Sequence, residues 1–365
     1  MKKTILIKAM GLAPIRKGGY IGGIGRSNVA LLRSFEKTND PDIEFELYSQ
    51  HIRTPFYKGE DWKFKYHRYL VPGKLNNRVC IEPLWRRLVL RYDLLHITGN
   101  FGWVSKKENF VVTIHDVFML AEHSWTKKPF WDSALYSRSI VTCSEYTKED
   151  IVRTFKVPAE KITVIPWGID LDLFHPRNER EIKAVMNKFG IKGRYFFSCS
   201  CSHPRKNAKF ILAAFRQFIN ENNDCTMVLT WSNPPKELTE EYAKEINEGR
   251  IKILDFVTDE ELATLYSGAL ASIFVSSFEG FGFPILESMA CGTPCVTCRN
   301  TSLEEVGSDK AYYVKEKDAD AITEAMFYFT KYGKGDKDAL TTYAKGYSWD
   351  NTARQYIEFY KKNLY

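Results

Sequence analysis

Two successive series of strand-like segments alternate with helical patterns, and this alternation constrains the fold more than any other feature of the sequence. Each segment is a short run rich in β-branched and aromatic residues. Such alternation is typical of parallel sheets covered by helices, so two series predict an α/β protein with two doubly wound domains. The first series has runs that begin at residues 4, 43, 94, 110, 139 and 163, and the second has runs at 195, 226, 251, 272, 295 and 312.

A stretch around residues 172–180 separates the two series. Pro176, Arg177 and Asn178 interrupt the chain there, before a charged helical pattern and a new strand-like run. The length of 365 residues also exceeds the size at which one hydrophobic core keeps growing. We therefore expect an N-terminal domain at 1–175, a second domain at 176–347 and a closing amphipathic helix at 348–365.

Composition favours a cytoplasmic protein. The eight cysteines lack the paired spacing of a zinc site, and several lie in apolar runs, which is typical of reduced, buried thiols. The run Cys291, Cys295, Cys298 has no nearby His or fourth Cys that would complete tetrahedral ligation, so no metal is expected there. No stretch has the apolar length of a membrane span, and "MKKTILIKAM" predicts a first strand and not a signal peptide.

The chain has a net charge of +7 and contains a basic stretch at residues 51–91. This stretch carries ten Lys and Arg residues and three acidic ones, with aromatic residues between them. This pattern fits an anionic bilayer, a phosphate-bearing acceptor or nucleic acid, and equally an ordinary solvated face. No helix-turn-helix, zinc or stacking signature supports nucleic acid. We expect no nucleic-acid partner, and we keep peripheral contact of this stretch with an anionic membrane as a hypothesis.

Two glutamates, Glu279 and Glu287, flank a glycine-rich turn in "SSFEGFGFPILESMACGTPCVTC". Glu279 follows a strand-like run, and Pro284 and Gly292 bound a helical pattern that contains Glu287. Gly280 and Gly282 let a backbone approach a ligand, and the first amides of a helix bind phosphate. The residues alone leave two interpretations open: a ligand site, or a tight turn with one ion-paired glutamate.

The stretch from Thr258 to Gly307, with its E-x7-E motif at Glu279 and Glu287, resembles the donor-binding segment of retaining glycosyltransferases of family 4, including mannosyltransferase-like members. The resemblance continues in "PRKN" at 204–207, "VTCSEYTKEDIVRTFKVPAEKITVIPWGID" at 141–170, "TIHD" at 113–116 and "GGIGRSNVALLRSF" at 22–35. It covers nearly the whole chain and is weakest over residues 45–90. It implies a GT-B architecture: two Rossmann-like domains that face across a cleft, with the C-terminal helix returning to the N-terminal domain.

The resemblance also implies roles for residues of the second half. Arg205 and Lys206 would hold the donor diphosphate, Glu279 would face the transferred sugar, and Glu287 would accept hydrogen bonds from the ribose hydroxyls. The wider donor-binding set comprises Gly280, Phe281, Gly282, Phe283, Pro284 and Ile285. The family is generally metal-independent, and no Asp-x-Asp follows a strand end here, so no metal and no cofactor are expected.

In the first half, the resemblance assigns His115 to the sugar or acceptor. The neighbouring Asp116 and a glycine-rich loop at Gly18–Arg26 would face acceptor or donor phosphates, through Gly22, Gly23, Gly25 and Asn28. An NAD site is poorly supported, because Asn28 replaces the third glycine of the dinucleotide motif.

The predicted function is transfer of a sugar from a UDP-, GDP- or ADP-sugar to a saccharide or lipid-linked acceptor, with retention, in surface polysaccharide or glycan synthesis. Alternatives are another GT-B enzyme (an epimerase, hydrolase or phosphorylase) and a catalytically silent binding module for sugar nucleotides or anionic surfaces. Three departures from the family pattern stand out: Ser200 and Cys201 before "PRKN", "VSSF" before Glu279, and Trp167 in "IPWG". Only the first is expected to alter the geometry at a chemical group.

Overall fold

The computed structural model of the protein describes residues 2–8, 23–49, 63–69, 81–118, 120, 126–222 and 224–364. The chain divides into two compact units, one formed by Met1–Gly168 with Trp349–Tyr365 and the other by Ile169–Ser348. Each unit contains one parallel sheet, so the predicted α/β class with two doubly wound sheets is confirmed. The first unit ends at Gly168, earlier in the chain than the expected boundary after residue 175.

The first unit contains a seven-stranded sheet whose neighbouring strands are all parallel. Its strands are β1 (Lys3–Lys8), β2 (Ile43–Ser49), β3 (Lys65–Arg68), β4 (Leu94–Ile97), β5 (Phe110–Thr113), β6 (Ser139–Thr142) and β7 (Ile162–Val164). They lie in the order β3-β2-β1-β4-β5-β6-β7. The helices in the described part of this unit are α1 (Gly23–Thr38), α2 (Glu82–Val89), α3 (Lys127–Tyr136) and α4 (Glu145–Phe155), together with the C-terminal helix Trp349–Leu364.

The second unit contains a six-stranded parallel sheet. Its strands are β8 (Arg194–Ser198), β9 (Cys225–Thr230), β10 (Ile251–Leu254), β11 (Ser272–Phe274), β12 (Cys295–Cys298) and β13 (Tyr312–Val314). They lie in the order β10-β9-β8-β11-β12-β13. The helices are α5 (Glu179–Phe189), α6 (Ala208–Ile219), α7 (Lys236–Glu241), α8 (Ala243–Asn247), α9 (Asp259–Gly268), α10 (Phe283–Ala290), α11 (Thr301–Gly307), α12 (Ala319–Tyr332) and α13 (Lys337–Lys345). We label the C-terminal helix α14.

Local sequence signals explain many of these boundaries. Asn178 and Thr258 form capping boxes with Glu181 and Glu261 at the starts of α5 and α9. All the predicted strand runs coincide with observed strands, because apolar, β-branched segments are buried on both faces of a parallel sheet. The prediction missed β3, an edge strand of sequence KYHR whose side chains are at least partly exposed and therefore carry no apolar signal.

The closing helix α14 begins at Trp349, immediately after Ser348, and packs in the first unit. Its predicted apolar face is buried, since Tyr356 and Tyr360 contact the Phe35 ring at centroid distances of 6.2 and 6.0 Å. The Tyr360 hydroxyl lies 2.7 Å from Nδ1 of the buried His96 on β4. These contacts tie the chain end to the centre of the first sheet.

The basic stretch needs a correction at Arg86, which we expected on an exposed cationic face. Arg86 is fully buried, and its guanidinium donates to Glu82 Oε1 at 2.8 Å and to Glu108 Oε2 at 2.7 Å. Lys8 Nζ also donates to Glu82 Oε1, at 2.6 Å. Burial brings these charges together in a satisfied network, so Arg86 is a structural residue. Of the stretch 51–91, residues 51–62 and 70–80 lie outside the described residues.

None of the helices in the described ranges is long and apolar enough to cross a bilayer. The cysteines at 143, 199, 201, 225, 291, 295 and 298 are buried free thiols, as their apolar sequence contexts indicated.

Candidate functional site

The candidate site of the second unit forms where its strand order reverses. β8 and β11 are neighbours in the sheet, but the chain continues from them toward opposite edges. The loops that follow these two strands therefore separate at their carboxyl ends, and ligands of doubly wound folds bind at such a point. The loop after β8 carries Arg205 and Lys206 on a 3-10 turn, Pro204–Lys206, and the loop after β11 carries Glu279.

Arg205, Lys206 and Glu279 come together as one ion-paired cluster. Lys206 Nζ donates to Glu279 Oε1 at 2.6 Å, and Arg205 Nη1 donates to the same oxygen and to the Phe278 carbonyl. Lys206 Nζ also lies 4.4 Å from the centroid of the Phe274 ring. The three charged side chains are 10 to 27% exposed, so they are largely desolvated yet still reachable from solvent. Two cations with one carboxylate give the cluster a positive formal balance.

A hydrogen-bond network outside the predicted set joins the two loops. Asn207, in the left-handed conformation (φ 57°), donates from Nδ2 to the Val275 carbonyl and to Ser277 Oγ, both at 2.8 Å. The Ser277 amide donates to the Arg205 carbonyl at 2.8 Å, and its hydroxyl donates to Glu316 Oε1 at 2.5 Å. Each loop thus holds the other in register.

Glu316, in the loop after β13, extends this network to a third loop. Its second oxygen accepts from Asn300 Nδ2 at 3.0 Å, and Asn300 also donates to the Ser276 carbonyl at 3.2 Å. The Ser277 hydroxyl and the other donors lower the pKa of the Glu316 carboxyl. Glu316 is therefore ionised at neutral pH and accepts on both oxygens.

The glycine-rich turn leads directly into α10, as its sequence predicted. Gly282 precedes the helix with φ 117°, a conformation that favours glycine, and an added Cβ would lie 3.0 Å from Leu303 Cδ2. Pro284 lies in the first turn and Gly292 follows the helix with φ 71°. Phe281 and Ile285 are buried in packing, so any ligand contact from them runs through the backbone. Gly280 and Phe283 are partly exposed beside them.

Glu287 lies on α10 and is buried. The Tyr266 hydroxyl from α9 lies 3.1 Å from Glu287 Oε2 and 3.0 Å from Cys199 Sγ. Burial, with the Glu287 charge adding to it, raises the pKa of the Cys199 thiol to about 12. Cys199 is thus a neutral packing group, and Tyr266 orients the glutamate.

Ser200, one of the expected departures before "PRKN", lies in the loop after β8. Ser200 has φ 56°, in the left-handed region, and its amide donates to Thr230 Oγ1 at 2.9 Å. The loop after β8 therefore has a backbone conformation at Ser200 that favours glycine and is slightly strained at a serine.

In the first unit, His115 follows β5 and is buried. Its Nε2 lies 2.7 Å from the Thr98 carbonyl, which requires a proton on Nε2, and its amide donates to Asn100 Oδ1 at 2.7 Å. Burial lowers the pKa of the ring to about 4. The opposite nitrogen, Nδ1, is buried and has no hydrogen-bond partner within the described ranges. The ring is therefore neutral at pH 7 and offers Nδ1 as an acceptor.

The glycine-rich loop of the first half is only partly as predicted. α1 begins at Gly23, so Gly23 and Gly25 lie in the first turn of a helix and not in a loop. Glycine adopts helical as well as loop conformations, so the glycines alone did not fix where the helix begins. Asn28 Nδ2 donates to the Thr98 carbonyl at 3.3 Å, the same oxygen that His115 contacts. Gly22 lies outside the described residues.

Two further residues flank His115. Asp116 is partly exposed and accepts from the Phe118 amide at 3.0 Å. The Trp167 ring lies 5.0 Å from the His115 ring. Trp167, the departure in "IPWG", therefore packs against the candidate histidine, and whether this contact affects a chemical group stays a prediction.

Among the described residues, no group of three or more His, Cys, Asp or Glu is arranged to hold a metal ion. Metal independence stays a prediction.

Comparison with protein families matches both halves of the chain. Residues 21–173 match the model described as Glycosyltransferase Family 4, and residues 193–331 match the model described as Glycosyl transferases group 1.

Individual relatives agree with these matches. The chain is 30% identical over 348 residues to an alpha-monoglucosyldiacylglycerol synthase of Streptococcus pneumoniae, covering 88% of this chain and 76% of that protein. It is 29% identical over 286 residues to O-antigen chain mannosyltransferase B of Escherichia coli, covering 74% of each. A crystal structure of Anabaena Alr3699/HepE in complex with UDP-glucose superimposes with a TM-score of 0.75 at 15% identity, over 98% of this chain and 99% of that one, and shows a shared fold.

Proposed function

The chain is a glycosyltransferase and belongs to family 4; from this premise we propose that it transfers a hexose from a nucleoside-diphosphate sugar, with retention of anomeric configuration. The acceptor is a saccharide or a lipid-linked saccharide of surface polysaccharide or glycan synthesis. Relatives named as an O-antigen mannosyltransferase and a glycolipid synthase support this acceptor class, and a structural neighbour in complex with UDP-glucose supports the donor class.

The observation that carries the proposal is the pairing of Arg205 and Lys206 with Glu279 at the strand-order reversal. A nucleoside diphosphate brings at least two negative charges to this point and competes with one carboxylate for both cations. On donor binding, Glu279 releases the cations and its oxygens accept hydrogen bonds from hydroxyls of the sugar. Glu287, held by Tyr266, accepts from the ribose.

The two cations and the first amides of α10 stabilise the charge of the departing diphosphate. The bond between the anomeric carbon and the phosphate oxygen breaks, and the acceptor oxygen bonds to the same face of that carbon. The departing phosphate oxygen takes the acceptor proton. Fixed donors aimed at developing charge supply the largest part of such catalysis, and they do the work that a divalent metal does elsewhere.

His115 supplies an acceptor and not a strong base. With Nε2 committed to the Thr98 carbonyl, Nδ1 accepts a hydrogen bond from a sugar or acceptor hydroxyl. A neutral ring with a pKa of about 4 binds a hydroxyl without removing its proton at pH 7. Asp116 and Asn28 belong to the same acceptor-side group.

A first experiment identifies the donor by thermal shift against UDP, GDP, ADP and their common sugar nucleotides. A ligand that binds only the native state raises the unfolding midpoint by mass action. The Lys206→Met variant should lose that shift and about 100-fold or more in kcat, whereas Lys209→Met, an exposed lysine of α6, should match wild type. Equal shifts and rates for both variants would contradict the assignment of the diphosphate site.

A second experiment tests the sugar contact and the stereochemistry. Glu279→Gln should lower kcat with the donor still bound, and transfer at the wild-type rate would remove the role we assign to it. NMR of the first product should show the anomeric configuration of the donor.

Activity in EDTA checks metal independence, and donor turnover with and without acceptor separates transfer from hydrolysis.

A cytoplasmic location, peripheral at the inner face of the membrane, is part of the same proposal. Free, buried thiols fit a reducing compartment. A lipid-linked acceptor requires the enzyme to meet the membrane surface, and the surface that would make this contact is argued next.

A further inference from the structure

Large exposed apolar side chains concentrate on two helices of the first unit. On α2, Leu84, Leu88 and Val89 are 57, 75 and 61% exposed; on α3, Trp131 and Leu135 are 37 and 44% exposed. Leu84 and Leu88, like Trp131 and Leu135, are four residues apart, so each pair lies on one outward face of its helix. Exposed aliphatic and aromatic side chains in such a set mark an interaction surface.

Packing against the hydrophobic core fixes the orientation of both helices. Trp85 of α2 packs on the hydrophobic core of the first unit, and Arg86 is held from beneath by Glu82 and Glu108. On α3, Phe130 and Ala134 are buried in the same core. Because these contacts fix the rotation of both helices about their axes, the apolar faces named above point outward permanently.

A short segment, 102–106, contacts both helices. The Trp103 carbonyl accepts from Arg86 Nη2 on α2 at 2.8 Å, and the Gly102 amide donates to Ser133 Oγ on α3 at 3.0 Å. The turn that follows carries Lys106, whose Nζ lies 4.5 Å from the centroid of the Tyr136 ring. α2, this turn and α3 are therefore neighbours, and we treat their outward side chains as one surface.

This surface is strongly cationic as well as apolar. Three acidic side chains lie among its elements: Glu82 and Glu108 pair with Arg86, and Asp132 pairs with Lys128. A second copy of the chain docked here would bring like charges together, whereas an anionic partner neutralises them. The exposed cations on these elements are Arg87, Lys106, Lys107, Lys127 and Lys128, and the exposed Arg91 follows two residues after the end of α2.

We propose that this α2–α3 surface, comprising Leu84, Leu88, Val89, Trp131, Leu135 and the six exposed cations around them, docks the enzyme on an anionic lipid bilayer. The apolar side chains enter the boundary between headgroups and acyl chains, and the cations contact lipid phosphates. Stable peripheral binding needs two such signals, and both are present on one face. This inference rests on the proposed membrane contact, and it moves that contact from the whole stretch 51–91 to two helices, with Arg86 excluded.

The test is flotation of the purified protein with vesicles of phosphatidylcholine, with and without phosphatidylglycerol. Wild type should float with the anionic vesicles, less so at high salt because exposed charges are screened. Leu84→Gln/Leu88→Gln removes apolar contact at constant charge and should weaken partitioning by about tenfold or more. Arg87→Gln/Arg91→Gln should weaken it by roughly fivefold for each charge and reduce the salt dependence.

Matched controls come from the second unit. Tyr332→Gln removes an exposed aromatic residue and Lys331→Gln an exposed cation there, and both should float like wild type. Thermal unfolding and the nucleotide-induced shift should be unchanged in every variant, which separates this proposal from the proposed reaction. If the wild-type protein does not float with anionic vesicles at low salt, or if the surface variants float as well as the controls, the proposal is overturned. Light scattering that shows a wild-type dimer lost in Leu84→Gln/Leu88→Gln would instead assign the surface to a second copy.

Discussion

At the scale of single residues, the candidate site is a cluster of paired charges with one cation in excess. Glu279 pairs with both Arg205 and Lys206, and the network through Asn207, Ser277 and Glu316 holds the backbone beneath them. Productive geometry depends on such supporting contacts as much as on the groups that touch the ligand.

Replacing Glu316 by Gln should lower kcat/KM for the donor by about tenfold, mainly through a higher KM. An amide keeps the shape but presents one acceptor where the carboxylate presents two, so either Ser277 or Asn300 loses its partner. Steady-state kinetics measure the change, with Glu245→Gln, whose carboxylate pairs with Arg216, as the matched control. A normal donor KM combined with a lower unfolding midpoint would give Glu316 a purely structural role.

Two buried histidines should make stability depend on pH. Burial lowers the pKa of His96 to about 3 and that of His115 to about 4, whereas unfolded histidines titrate near pH 6.5. Between about pH 6.5 and pH 4 the unfolded chain therefore binds more protons, and the free energy of unfolding falls as pH falls.

The unfolding midpoint should accordingly decrease from pH 7 to pH 5, a range above the ordinary titration of carboxylates. His96→Gln should weaken this dependence, whereas His175→Gln, at an exposed position, should leave it as in wild type. The measurement is thermal unfolding over a pH series. An identical slope in wild type and His96→Gln would contradict the assignment.

At the scale of helices and strands, α2 shows how one helix meets two different requirements. Its inner face is fixed by a buried charged residue, and its outer face carries the apolar side chains that we assign to the membrane. Arg86 and Arg87 are adjacent residues of the same type, but Arg86 is buried and structural, whereas Arg87 is exposed.

Arg86→Met should destabilise the protein by about 3–5 kcal/mol, because Glu82 and Glu108 keep their buried charges without the guanidinium. Arg87→Met, one position later on the exposed face, should change the free energy of unfolding by no more than about 0.5 kcal/mol. Urea denaturation of the two variants makes the comparison. Equal stability of both would show that the buried network contributes nothing net.

At the scale of the whole molecule, the chain forms two compact units and returns to the first one through α14. Removal of residues 349–365 takes away Tyr356 and Tyr360, which cover Phe35 and His96, while the second unit keeps all its elements. The first unit should lose its cooperative unfolding transition, and the second should retain both its transition and the nucleotide-induced shift.

Calorimetry and limited proteolysis of the shortened chain measure this separation. Fragments of the second unit should persist while the first unit is degraded, because local stability follows buried contacts. Loss of both transitions would mean that the units are stable only together, and an unchanged first transition would show that α14 contributes little to its core.

Much of this architecture could be predicted from the sequence. All strands from β1 to β13 except the polar edge strand β3 could be predicted from the sequence, because strands buried on both faces of a parallel sheet are continuous apolar segments. The start of α10 was also readable, since Gly282 and Pro284 are local signals. The pattern of Glu279, Glu287 and "PRKN" predicted a donor side, and this assignment stays a prediction.

Only the tertiary structure decided which charged groups meet. Arg205 and Glu279 are 74 positions apart, and Ser277 and Glu316 are 39 apart, so no local pattern could pair them. It also decided that Arg86 is buried beside the exposed Arg87, and that Trp167 packs on His115. Periodicity and turn chemistry act within a few residues of the chain, whereas the environment of a charge is set by groups that folding brings from distant segments.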